Sequence, residues 1–226
     1  MRTAAAVMMA LFAAASVSAQ SAPLDRGKTV RVTAQDNAQI SYSLYIPRSY
    51  VSSRPTCVLF TSSPARDAPA LALSACEKLG WLSVGLPFES AEFAAGPKAL
   101  AVVADVKRRF PIERRGLYFA GFSEGAWYAV MLLKTVAQEA GGFIDIDLGS
   151  GGTAVPPEVP VIYLVANRAG RADGSIPDML ATDMPRHARW YTMRVFNDIH
   201  NWGPPALHNE ALLWLASIRT MEGFLP

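Results

Sequence analysis

The chain is poor in the residues that most often announce a cofactor or a covalent framework. Its 226 residues include two cysteines and three histidines. No His, Cys or Asp cluster falls at metal-ligand spacing, so no metal is expected. No Gly-rich phosphate loop opens a helix after a strand, and no nucleotide cofactor is expected either. Charge is nearly balanced, with 21 Lys and Arg against 19 Asp and Glu. Without a long basic run, neither nucleic acid nor an anionic membrane is an expected partner. The pairs Arg108-Arg109 and Arg114-Arg115 flank a turn and read as a solvated rim. Internal repeats and low-complexity tracts are lacking, apart from an Ala-rich start.

That start carries Arg2, an apolar stretch over residues 4–17, and the small-residue site Val17-Ser18-Ala19 before Gln20. These are the three regions of a secretory signal peptide, expected over residues 1–19. The stretch is short for a membrane span, and no lipid-anchoring cysteine follows it. An exported chain of about 207 residues is long enough for one buried core, and residues 20–226 read as one domain. Export also permits a disulfide. Cys57 opens a predicted strand and Cys76 lies late in the next helix, places that fall at the same end of a sheet in a crossover. A Cys57–Cys76 bridge and two buried thiols both satisfy that placement.

Beyond the leader, residues 29–35 and 39–46 alternate polar and apolar around Asp36-Asn37, the pattern of an antiparallel hairpin. Strand and helix patterns then alternate. Strands are predicted over 56–61, 81–86, 117–120, 142–148, 159–166 and 190–196. Helices are predicted over 68–79, 96–110, 126–136, 176–188 and 206–220. Such alternation predicts a mostly parallel α/β sheet with helices on both faces. Only a short Gly/Pro-rich connector separates Leu148 from Val159, too little for a lid domain, and an open, shallow site is expected.

Gly121-Phe122-Ser123-Glu124-Gly125 sits between a predicted strand and a predicted helix. This is the G-x-S-x-G pattern in the context it requires: a strained turn that exposes the serine hydroxyl, with glycines where the chain packs too closely for a side chain. Ser123 is the expected nucleophile. Glu124 reads as an exposed acid in the first helical turn, favoured by the helix dipole.

Together with Phe110-Pro111-Ile112, Gly149-Ser150-Gly151-Gly152 and His200-Asn201-Trp202, this elbow resembles the α/β-hydrolase superfamily over roughly residues 40–215. The nearest likeness is to secreted esterases of the polyhydroxybutyrate-depolymerase and feruloyl-esterase type. The resemblance implies a Ser, acid, His chain order. His200, after the last predicted strand, is then the base that takes the serine proton. His187 and His208 read as surface or capping histidines. Trp202 reads as substrate wall, with Pro204-Pro205 beside it. In relatives the acid lies just beyond the strand before the penultimate helix, where this chain has Ala166-Asn167-Arg168-Ala169 and no carboxylate. The nearest downstream candidate, Asp173, is the expected acid. Asn167 orienting a neutral ring, or Asp145 or Asp147 from the neighbouring strand, are the alternatives, and Asp178 and Asp183 read as solvent-facing. One oxyanion donor is expected from the Glu124 amide. The second is expected from Ser62, where relatives carry a His-Gly segment.

The implied activity is cleavage of a small-molecule or polymer-linked carboxylic ester through an acyl-Ser123 intermediate, without cofactor. A non-catalytic exported binding protein on the same scaffold is the alternative. Peptidase and acyltransferase activities would use the same residues.

Overall fold

The computed structural model describes residues 25–64, 68–87, 96–147, 155–166 and 188–223. The expected hairpin is β1 (Thr29–Ala34) and β2 (Asn37–Tyr45), paired antiparallel. Its turn is docked on the first long helix by a buried carboxylate, Asp105. The Gln35 N–H donates to Asp105 Oδ1 at 3.0 Å, and the Tyr42 hydroxyl and Arg109 Nε donate to Oδ2, each at 2.8 Å. Burial alone would raise the Asp105 pKa. The Gln35 amide, Arg109 and Tyr42 outweigh it and hold the carboxyl below its ordinary value.

The remaining elements are β3 (Thr56–Ser62), α1 (Leu73–Leu79), β4 (Leu82–Gly85), α2 (Pro97–Arg109), β5 (Ile112–Phe122) and α3 (Glu124–Thr135), then β6 (Ala140–Ile146), β7 (Val161–Ala166), β8 (Tyr191–Phe196) and α4 (Pro205–Met221). They form one eight-stranded sheet in the order β1-β2-β4-β3-β5-β6-β7-β8. All neighbours from β4 through β8 run parallel. One face carries Phe60, Phe119 and Phe143 against α2 and α3. The other carries Leu59, Tyr118 and Ile144 against α1 and α4. Strands buried on both faces have no polar side to show, which is why the middle of β3, Cys57 to Phe60, reads as an unbroken apolar run.

Two expectations change, and one open alternative is decided. The helix predicted over 68–79 begins only at Leu73. Pro69 disfavours helical backbone at Ala68, whose N–H instead donates to the Leu86 carbonyl, and the Leu71 N–H donates to Ser83 Oγ at 3.0 Å. The arginine pairs are not simply a solvated rim. Arg109 is tied to Asp105 and the Thr33 carbonyl, while Arg115 donates to the carbonyls of Ala140 and Glu158. Cys57 and Cys76 are free and buried, so the thiol alternative holds. Burial pushes the Cys76 thiol up to about 12 and the Cys57 thiol up as well. The predicted signal peptide, the helix expected at 176–188 up to residue 187, and most of the Gly/Pro-rich connector lie outside the described residues.

Candidate active site

The carboxyl ends of the parallel strands share one edge of the sheet, the edge at which such folds assemble their sites. β5 delivers Ser123 there. Between strand and helix Ser123 adopts φ 52°, ψ −130°, a conformation costly for a residue with a side chain. The flanking glycines show why the turn needs them. A Cβ on Gly121 would lie 2.3 Å from Ala126 Cα, and one on Gly125 would lie 2.6 Å from both the Ser62 carbonyl oxygen and the Ser63 backbone. As the first residue of α3, Glu124 points a backbone N–H out of the helix start without an intrahelical acceptor. Its side chain is exposed, as expected.

β8 ends at Phe196, and the following loop carries His200 back over the elbow before Pro204 and Pro205 start α4. Gly203 makes the return turn with φ 77°, packed so closely on Phe196 that a Cβ would meet its ring at 3.0 Å. His200 Nε2 lies 2.9 Å from Ser123 Oγ, and Nδ1 is hydrogen-bonded to Asp147 Oδ2. A carboxylate only accepts, so Nδ1 carries the proton and the Nε2 lone pair faces the serine hydroxyl. Ser123 and His200 therefore meet, as the chain order implied by the resemblance led one to expect.

Among the described residues the carboxylate that meets the ring is Asp147, one of the alternatives to Asp173. Asp173 and Asn167 lie outside the described residues. The reason is sheet register. β6 is the immediate neighbour of the elbow strand, with Ile146 opposite Phe122, and the Ile146 carbonyl accepts the Ser123 N–H at 3.0 Å. The next residue, Asp147, turns with φ 54° and is itself held: its N–H donates to the Leu164 carbonyl at 2.8 Å, and its Oδ1 accepts the Ala166 N–H at 3.1 Å. Its side chain is fully buried while that of His200 is 41% exposed, so the hydrogen-bonded line from Asp147 to Ser123 runs from protein interior toward solvent. One signal in the sequence pointed here. Asp145 and Asp147 interrupt an otherwise apolar strand, and a buried carboxylate is expensive unless paired.

Ser62 ends β3 opposite Gly121, wholly buried. Its hydroxyl is buried and has no hydrogen-bond partner among the described residues. Trp202 is half-buried beside His200. Its ring stacks on Phe122 at a centroid distance of 5.0 Å, and Phe122 in turn packs on His200 at 4.8 Å. His208 is not a surface histidine: it is 4% exposed, and its Nε2–H donates to the Trp202 carbonyl at 2.6 Å. Burial holds its pKa below the ordinary histidine value. Neither Phe122 nor His208 carries a local signature of such a role. Among the described residues no group of His, Cys, Asp and Glu is arranged to hold a metal ion, and no helix is long and apolar enough to cross a membrane.

No protein-family model matches the chain, and no curated protein resembles it in sequence. Solved structures do resemble it in shape. A thermostable esterase superposes with a TM-score of 0.62 at 14% identity, over 84% of this chain and 62% of that one. FphF, a fluorophosphonate-binding serine hydrolase of Staphylococcus aureus, gives 0.60 at 10% identity, over 84% and 99%. Dipeptidyl peptidase 4 of Porphyromonas gingivalis gives 0.58 at 9% identity, over 84% and 35%. The chain has the α/β-hydrolase fold. At these identities the likeness speaks for the fold alone, and it spans esterase and peptidase alike.

Proposed function

We propose that this chain is an exported serine hydrolase that cleaves carboxylic esters through an acyl-enzyme on Ser123. The observation that carries the reading is the continuous relay from Asp147 through His200 to Ser123, with 2.9 Å between Nε2 and Oγ. In the reaction Ser123 Oγ attacks the ester carbonyl as Nε2 removes its proton. The carbonyl oxygen becomes an oxyanion, received by the Glu124 amide and by the backbone at the end of β3, where Ser62 is the proposed second donor. The tetrahedral intermediate collapses, the C–O bond breaks, and His200 returns the proton to the departing alcohol. Water enters by the same base and releases the acid. Asp147 holds the ring in the Nδ1–H tautomer and stabilises its cation.

The backbone strain at Ser123 supports catalysis over a non-catalytic binding protein, because an unused serine needs no such turn. The narrower likeness to secreted polyester and feruloyl esterases rests on the sequence motifs around the elbow and His200. It favours a small aryl or polymer-linked ester, with Trp202 at the substrate wall. Export rests on the leader over residues 1–19, and a mature N-terminus at Gln20 is its expected product. The test of the core reading is labelling by a fluorophosphonate, which needs an activated serine. Stoichiometric labelling of the wild type and none of Ser123→Ala is expected. An unlabelled, folded wild type would refute it.

A further inference from the structure

Three hydrogen bonds within the loop that carries His200 are local. The Ile199 N–H donates to Asp198 Oδ1, Asn201 Nδ2 donates to Asp198 Oδ2, and the Trp202 N–H donates to Asn201 Oδ1. Such bonds shape the loop but do not locate it on the elbow. Asp147 holds one edge of the imidazole through Nδ1, and Ser123 Oγ lies at the other. The face of the ring rests on Phe122, the residue next to the nucleophile, at a centroid distance of 4.8 Å and an interplanar angle of 35°. Phe122 also stacks on Trp202, at 5.0 Å and 30°. The Trp202 backbone is anchored from outside the loop by His208 in α4, whose ring also meets the indole edge-on at 6.3 Å and 77°.

His208 is unusual for its position. It sits in the first turns of α4, a helix whose other buried residues include Ala211, Leu212 and Leu215, and it is nearly as buried as they are. A buried imidazole is costly unless its polar atoms are satisfied. Its bond to a carbonyl that belongs to the loop of His200 satisfies Nε2 and links the helix to that loop.

We propose that His208 is a positioning residue for the general base: through the Trp202 carbonyl and the Trp202–Phe122 stack it sets His200 at attack distance from Ser123. The inference rests on the Ser123–His200 reading above. It differs from a purely structural role for His208, which would act on stability and leave turnover alone. It also differs from a substrate-wall role for Trp202, which would act on KM.

The test uses the full mature chain and one soluble aryl ester, with active sites counted by fluorophosphonate titration and every rate measured well below the variant's Tm. His208→Leu keeps the volume but removes the donor. Its kcat is expected to fall about 10- to 100-fold, with KM within about 3-fold of wild type, since misplacing a reacting group by about 1 Å costs that much. His208→Gln offers an amide N–H at similar reach and is expected to restore kcat to within about 3-fold. If His208→Leu does not fold, Trp202→Ala carries the same test from the half-exposed side: it removes the stack on Phe122, and kcat is expected to fall about 10-fold or more. Wild-type kcat in His208→Leu, no rescue by Gln, or a Trp202→Ala defect confined to KM would each overturn the proposal. Turnover surviving in Ser123→Ala would instead remove the serine-hydrolase reading beneath it.

Discussion

Replacing Asp147 by Asn changes one atom of the triad and reverses the polarity of the relay. The side chain is wholly buried and engaged at both oxygens, by His200 Nδ1 and by the Ala166 N–H. Asn fills the same volume, and its carbonyl oxygen must keep accepting from Ala166, because the opposite orientation would set an NH2 group against an N–H. The NH2 then faces His200 Nδ1 and donates to it. The ring proton moves to Nε2, 2.9 Å from Ser123 Oγ, where a donor now stands in place of the base. Loss of up to about 10⁴-fold in kcat is expected, as when a triad acid is neutralised without moving it. That corresponds to about 5 kcal/mol of transition-state stabilisation. The assay is kcat on 4-nitrophenyl acetate for Asp147→Asn beside Asp173→Asn, with circular dichroism to establish that both fold. Asp173→Asn is expected within about 3-fold of wild type, since Nδ1 already has its acceptor. An Asp147→Asn enzyme within about 10-fold of wild type, or an Asp173→Asn enzyme slowed about 10³-fold, would refute the assignment of the acid.

Ser123→Ala should abolish ester turnover by about 10³-fold or more while leaving the melting temperature near or above that of wild type, because it removes a strained side chain's hydroxyl and nothing structural; retained turnover counts against the nucleophile. Gly125→Ala should destabilise the fold and cripple the site together, since its Cβ would fall 2.6 Å from the Ser62 carbonyl oxygen and the Ser63 backbone, neither of which is the flexible end of a side chain; urea unfolding midpoints equal to wild type would contradict this packing. Burial lowers the His208 pKa in the folded state, so below about pH 6.5 the unfolded chain binds a proton that the native state resists, and stability falls with falling pH through that window. Unfolding free energies for wild type and His208→Gln should therefore differ by a constant above about pH 7.5, with the wild type losing ground as pH drops to about 5.5; a pH-independent difference would show that His208 titrates normally. Cys57 and Cys76, with thiol pKa values pushed up by burial, should resist Ellman's reagent in the native protein and both react after denaturation; fast native labelling of either would contradict their burial.

What the sequence determined by itself is local or periodic. The elbow was legible because glycine two residues either side of a serine, between a strand and a helix, has one steric explanation, and the packing at Gly121 and Gly125 is that explanation. The alternation of apolar strands and amphipathic helices specified the sheet, and Asp36-Asn37 between alternating runs specified the hairpin, because period and turn chemistry act over a few residues. His200 was reachable from chain order within a fold that the other motifs had already named. What only the tertiary structure decided is long-range. No local pattern states that β6 lies against the elbow strand in the register that brings Ile146 opposite Phe122, and that register sets Asp147 against His200. The same holds for the free state of Cys57 and Cys76, the burial of His208, itself read as a surface or capping histidine, and Phe122 packed against His200. Each depends on which side chains meet across the sheet, and the energy that selects those meetings belongs to packing, not to any single segment.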